Sequence, residues 1–329
     1  EEDVKITRSW WLALVCGLVV VAPAWAGFDN RMDVSKWLSE NSDLGFDKSE
    51  VAAFLAQTKA KPSIIPIIRN APERKWVWSQ YGKRMVSDSR IKRGKQFVLE
   101  NSSQLDQVTQ STGVDGAIIA AIAGIESNYG ANMGQHLTLR VLATLGFDSA
   151  RRSGFFQRQL ADFFRLCYSQ GLDPTKVKGS SAGAVGMGQF IPTSYRDFAV
   201  DGDGDQRVDL FHSKADNIAS IANYLSRHRW QAGAPWLLAV NADVVKSRWV
   251  NAKASNKGQT LGVWQQRGLL KSQTATQWPH QTFNLYAFST AGEDEYLLGG
   301  ANFYAITRYN HSLWYSRAVM DIAQAIVAP

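Results

Sequence analysis

One carboxylate in this chain stands where an apolar residue is expected. Residues 114–130 read VDGAIIAAIAGIESNYG, with Asp115 suited to cap a helix start and Gly130 to stop one in a left-handed conformation. Ile118, Ile119, Ile122 and Ala123 form the stripe such a helix turns toward a core. Glu126 follows four and three residues after the last two, so it is expected on the buried face. Loss of water around the anion, and a place in the last turn where the helix dipole disfavours negative charge, would both raise its pKa. A carboxyl held protonated near neutral pH can act as a general acid. The alternative is a structural Glu tied to an Arg or a backbone amide.

Three further stretches carry chemistry. GSSAGAVGMGQFIP at 179–192 scatters glycines among small residues, allowing close backbone approach and positive φ. It lacks the Lys and Ser/Thr of a nucleotide-binding loop, and either packs or presents Ser180 and Gln189 to a ligand. DGDGDQRVDLFHSKAD at 201–216 alternates Asp201, Asp203 and Asp205, then adds Asp209 and Asp216. Such crowding repels itself unless a cation sits among the carboxylates, and a hard ion taking six to eight oxygens, calcium, fits. The usual loop has Gly at its sixth position, where this chain has Gln206, and Glu at its twelfth, which is missing; a solvated acidic turn is the alternative. Finally, Phe303, Tyr304, Tyr309 and Trp314 cluster beside Arg308 and Asn310, a composition suited to sugar rings or to a core.

The elements that must position these residues are mostly helical. Periodicity predicts two short amphipathic helices between 33 and 59, an irregular connection at Pro62, Pro66 and Pro72, and helices through 73–111. It continues through 137–145, 155–168 and 218–230, and 235–298 reads as a small region with some strand. The 45% of hydrophobic residues suffice for a real core. At the start, Lys5 and Arg8 precede an uncharged run and the small-x-small pattern Ala24, Trp25, Ala26, so 1–26 is expected to be a cleaved export signal. A retained anchor is the alternative, though the run is short for a bilayer. Leu14 and Val15 ahead of Cys16 do not suit lipidation. Cleavage would leave Cys167 alone, a buried thiol in LADFFRLCYSQ. It would also move the net charge from +7 to +8, since three acids and two bases lie in the signal. A basic exported protein meets anionic wall, lipid or polysaccharide; no Lys/Arg run resembles a nucleic-acid arm, so nucleic acid is not an expected partner.

Side by side, these stretches make the chain resemble the lytic transglycosylases of the membrane-bound lytic transglycosylase B family. The resemblance rests on GIESNYG around Glu126, Arg151 and Arg152, the glycine-rich run 179–195, the acidic loop 201–216, IANYL at 221–225 and NFYAITRYNHS at 302–312, covering the chain from about Tyr81 onward. It implies a mainly α (α+β) fold with a lysozyme-like catalytic core and an EF-hand-like calcium loop. The implied divisions are a helical lobe at 27–104, the core at 105–234, a small β-containing region at 235–300 and a C-terminal helical segment at 301–329 packing back on the lobe. The implied activity is cleavage of the bond between N-acetylmuramic acid and N-acetylglucosamine in peptidoglycan, leaving a 1,6-anhydromuramyl end, with Glu126 as acid and then base. By the same resemblance Tyr81, Ser180, Gln189, Tyr224, Tyr309 and Asn310 would line the saccharide groove, and Arg151 and Arg152 would meet peptide or lactyl groups. Asp201, Asp203, Asp205, the carbonyl of Arg207 and Asp216 would hold a structural Ca2+. Glycan strands and other cell-wall enzymes are the expected partners, a monomer the expected state and the periplasm of a Gram-negative bacterium the expected place. A lysozyme-like hydrolase and a non-catalytic wall-binding protein are the alternatives.

Overall fold

The computed structural model describes residues 27–69, 76–270, 278, 280–290 and 292–329. The expected export signal with Cys16, and Pro72, lie outside the described residues. Among the described residues no single helix is long and apolar enough to cross a membrane.

The N-terminal helices are α1 (Met32–Glu40), α2 (Lys48–Ala56), α3 (Ile64–Arg69), α4 (Trp78–Met85), α5 (Asp88–Glu100) and α6 (Ser102–Thr112). Where the three prolines predicted an irregular connection, α3 forms instead. Pro66 sits in its first turn, where a missing N–H breaks no intrahelical bond. The chain continues through α7 (Gly116–Ser127), β1 (His136–Leu137), α8 (Thr138–Phe147), α9 (Ser153–Gln170), β2 (Lys178–Gly179), α10 (Pro192–Phe198) and α11 (Lys214–Arg227). Then come β3 (Leu237–Ala239), β4 (Gln259–Thr260), α12 (Leu261–Gln266), β5 (Thr282–Ser289), β6 (Asp294–Gly299), α13 (Ala301–Tyr309) and α14 (Leu313–Val327).

Helix α7 is the axis of the molecule. Residues 117–124 are all buried, because α5, α6, α11 and α14 pack around it. The expected one-sided stripe is therefore a helix that is apolar all round, as a fully enclosed helix must be. It ends at Ser127, two residues before the expected point. Asn128, at φ 55, takes the left-handed cap, and Tyr129 and Gly130 follow at φ 61 and 86. The Tyr129 N–H reaches the Ala123 carbonyl at 3.0 Å, closing the helix end.

The main apolar core runs from Phe28 to Ile326. The division expected at 104 and 105 falls inside α6, since lobe and catalytic helices share this core. The β region is a four-stranded antiparallel sheet in the order β3-β6-β5-β4. Strand alternation in β5 explains its double attachment. Phe283 and Leu285 join a small core with Leu261, Trp264, Leu269 and Leu298, while Tyr286 and Phe288 join the main one, meeting the Phe303 ring tilted at 4.9 Å and edge-on at 6.5 Å. Helix α14 returns to α4, α5 and α7. Cys167 is buried in α9, and burial pushes its thiol pKa up.

Candidate active site

Glu126 lies in the last turn of α7, half-buried beside Tyr315 and Tyr309. Desolvation pushes its pKa up to about 7, and the hydrogen bond from the Tyr315 hydroxyl, 2.6 Å to Oε1, pulls the other way. Burial outweighs that donor, so the carboxyl is half-protonated near neutral pH. No second carboxylate among the described residues contributes to this shift. Asp148, the nearest acid downstream in sequence, is held 2.6 Å from Arg31 at the helical lobe.

Tyr315 was not among the residues singled out from sequence. Ser312 starts α14 by accepting the Tyr315 N–H at 3.3 Å, which fixes the tyrosine in the first turn where α14 crosses α7. Burial and the negative charge of Glu126 hold the Tyr315 hydroxyl well above its usual pKa, so it remains a donor. Tyr81 lies beside it, buried on α4 and packed against Trp78 and Trp314 with ring centroids at 6.2 and 5.8 Å.

Tyr309, at the end of α13, also feels Glu126: burial first and then that charge raise its pKa well above 10. Its hydroxyl donates to the Gly188 carbonyl, closing the glycine-rich loop onto α13. A Cβ at Gly188 would sit 2.8 Å from both the Phe190 ring and the Tyr309 oxygen, so glycine is required there. Tyr224 is buried behind, its ring 4.8 Å from that of Tyr309 and its hydroxyl donated to the Arg308 carbonyl at 2.6 Å.

The loop itself is self-bonded. Ser180 Oγ accepts from the amides of Ala182 and Ala184, and Gln189, at φ 51, donates to the carbonyls of Met133 and Gly186. Asn217, also missed from sequence, is the strut. Buried on α11, it accepts from the amides of Met187 and Gly188 and donates to the carbonyls of Leu210 and Ser213. It thus ties the glycine-rich loop to the acidic loop. The only sequence signal is a polar residue ahead of the Ile218, Ile221 stripe, which does not distinguish a strut from a solvated position.

Asn310 is exposed beyond α13, accepting from the Ser312 amide at 3.1 Å. Arg151 and Arg152 stand apart, exposed between α8 and α9 on a separate cavity of about 190 Å³ with Ile65, Ile68 and Phe156. The Arg152 guanidinium lies 4.0 Å from the Phe155 ring centre.

In the acidic loop, carboxylate oxygens of Asp201, Asp203 and Asp205 come within 4.8 Å of one another. Oxygen-only donors at that spacing fit a hard cation. Gln206 adopts φ 71, the left-handed conformation for which the usual loop keeps a glycine. Asp216 stands outside the trio; its buried oxygens accept from the amides of Gly202 and Asp209 at 2.7 and 2.6 Å, each keeping a second lone pair.

A mostly helical fold that brings a desolvated Glu against a cluster of tyrosines presents a group suited to general acid work on a glycan. Residues 29–324 match the family model described as Transglycosylase SLT domain, and the chain belongs to that family. It is 32% identical over 301 residues to the membrane-bound lytic murein transglycosylase B of Escherichia coli, covering 86% of this chain and 79% of that protein. Among solved structures it matches soluble lytic transglycosylase SltB1 of Pseudomonas aeruginosa (33% identity, TM-score 0.81, 89% of this chain and 98% of that one). It also matches Escherichia coli Slt35 in complex with calcium (31% identity, TM-score 0.81, 92% and 96%). The protein is a lytic murein transglycosylase.

Proposed function

We propose that Glu126 alone serves both halves of the reaction. Protonated, it gives its proton to the oxygen of the β-1,4 bond between N-acetylmuramic acid and N-acetylglucosamine as that bond breaks. As carboxylate, it then takes the proton of the muramyl 6-hydroxyl, whose oxygen bonds to the anomeric carbon. The products are an N-acetylglucosamine end and a 1,6-anhydromuramyl end, and Glu126 regains its proton. The observation that carries this reading is the pKa of about 7 on a carboxyl that only burial and Tyr315 shift. Two-carboxylate glycosidases need a second acid roughly 5 to 10 Å away, and Asp148 is committed to Arg31. The Tyr315 hydroxyl steadies the anion between the two steps.

Tyr81, Ser180, Gln189, Tyr309 and Asn310 line the glycan groove in this reading, with Tyr224 backing Tyr309 and with Arg151 and Arg152 reaching peptide or lactyl groups of the polymer. A Ca2+ ion is held by Asp201, Asp203, Asp205, the Arg207 carbonyl and the remaining lone pairs of Asp216. It stabilises the loop that Asn217 joins to the site. The enzyme works in the periplasm on glycan strands.

Mass analysis of fragments released from purified sacculi tests the chemistry: anhydromuramyl ends are expected. Reducing muramic acid ends, heavier by one water, would establish a lysozyme-like hydrolase in its place.

A further inference from the structure

A group of positive side chains lies where α11, α13 and the β region meet. A cavity of about 510 Å³ there is walled by Arg227, His228, Arg229, His280 and Arg308, with no acidic residue among its lining. None of the three arginines forms an ion pair among the described residues, although six other Lys and Arg residues do, Arg31 and Arg317 among them. Gathered cations without counter-charge repel one another and are stabilised by a bound anion.

The backbone supports the same reading. Helix α11 ends in a turn closed by the Trp230 N–H on the Leu225 carbonyl at 3.1 Å, a turn whose left-handed position normally holds glycine. Here it holds Arg229 at φ 67. A non-glycine residue there is strained, and such strain is retained where the side chain has a task. Gly300 and Ala301 also line the cavity at the start of α13, whose N-terminus has no side-chain cap. Its free N–H groups add to the positive field. The walls are held together by Asn302, buried on α13, which exchanges two hydrogen bonds with the Gln231 backbone at 2.7 and 2.8 Å.

We propose that this cavity binds the free carboxylates on the peptide arms of a murein strand while the glycan is held at Glu126. This rests on the substrate named above. Murein is a glycan whose peptide arms carry free carboxylates and which has no phosphate of its own, and a guanidinium fork matches a carboxylate in bidentate fashion. The cavity adjoins the groove tyrosines: His228 stacks on Tyr224 at 4.2 Å, Tyr224 packs on Tyr309, and Arg308 precedes Tyr309 in α13. A strand anchored there lies against the same rings that back the reacting sugar.

The test uses the full chain with Glu126→Gln, so that bound strands stay intact, and compares murein strands bearing peptides with strands stripped of them. Peptide-bearing strands are expected to bind about tenfold more tightly, the worth of one or two charge-assisted bonds. Arg227→Ala with Arg229→Gly cuts that advantage severalfold, what remains being the share of Arg151 and Arg152, and leaves the affinity for stripped strands in place. Arg229→Gly alone raises Tm by one or two degrees or so, because glycine adopts the positive φ freely, which separates lost binding from lost folding. The proposal is overturned if both kinds of strand bind equally, if the double substitution keeps the preference in full, or if inorganic phosphate competes at lower concentration than N-acetylglutamate. Hydrolytic product ends would overturn the reaction scheme and leave this site standing; anhydro ends with no peptide preference would do the reverse.

Discussion

Glu126 and the Asp201–Asp203–Asp205 group are both carboxylate sites, and their surroundings drive them in opposite directions. Glu126 sits in a desolvated niche with one tyrosine donor, and its pKa climbs to about 7. Asp201 is half-buried; desolvation acts on it too, but the amides of Gln206 and Gly204, at 2.8 and 2.6 Å, outweigh it and hold its carboxyl below the usual range. One environment keeps a proton available and the other keeps charge available. A proton donor needs the first and a hard cation the second.

The largest expected effect follows from the niche. Glu126→Gln should lower murein cleavage by at least about two to four orders of magnitude, the usual worth of general acid–base catalysis. Cleavage near the native rate would dismiss Glu126 as the acid. The same substitution tests linkage. A raised carboxyl pKa contributes stability that is complete below the unfolded value near 4.5 and is lost as pH rises through about 7. Native Tm should therefore decline across that window more than the Tm of the variant, and superimposed pH profiles would show that Glu126 is not desolvated.

Tyr315→Phe comes next. It removes the one donor that favours the anion, so the alkaline limb of the pH–rate profile should move up, with about a tenfold loss in kcat from the unsteadied carboxylate. An unmoved limb would remove Tyr315 from the site.

In the acidic loop, calcium chelation should lower Tm by several degrees through loss of a ligand of the native state, and Asp201→Asn should abolish the difference. Identical melting with and without chelator would show that the carboxylates hold no ion. The smallest effect belongs to Gln206→Gly. Relief of the positive φ should raise Tm by about one or two degrees and tighten calcium binding modestly; a fall in Tm would show that the Gln206 side chain supports the loop.

Much of the site was legible before the fold. Glu126 stood out because a charge in an apolar run needs a reason, and the aspartates because their spacing needs a counter-ion. The small region 235–298 read as part strand, and in the structure the two faces of β5 there serve two cores. Asn217 and Tyr315 were not legible, since a buried asparagine strut and a buried tyrosine donor look from sequence like an ordinary polar residue and an ordinary core aromatic. The helix stop was misplaced by two residues because Asn128, like glycine, tolerates the left-handed region when its neighbours hold it there.

Residue type and short-range spacing thus determined which groups could carry a proton or a cation, because those properties are local. Only the tertiary structure decided which proton is kept and which charges stay unpaired. Desolvation of Glu126 depends on α14 crossing α7, 189 residues away along the chain at Tyr315, and the arginines without an ion-pair partner depend on α11 and α13 meeting at a cavity with no acidic residue among its described lining. Burial and charge pairing are set by neighbours in space, and those neighbours come from distant segments.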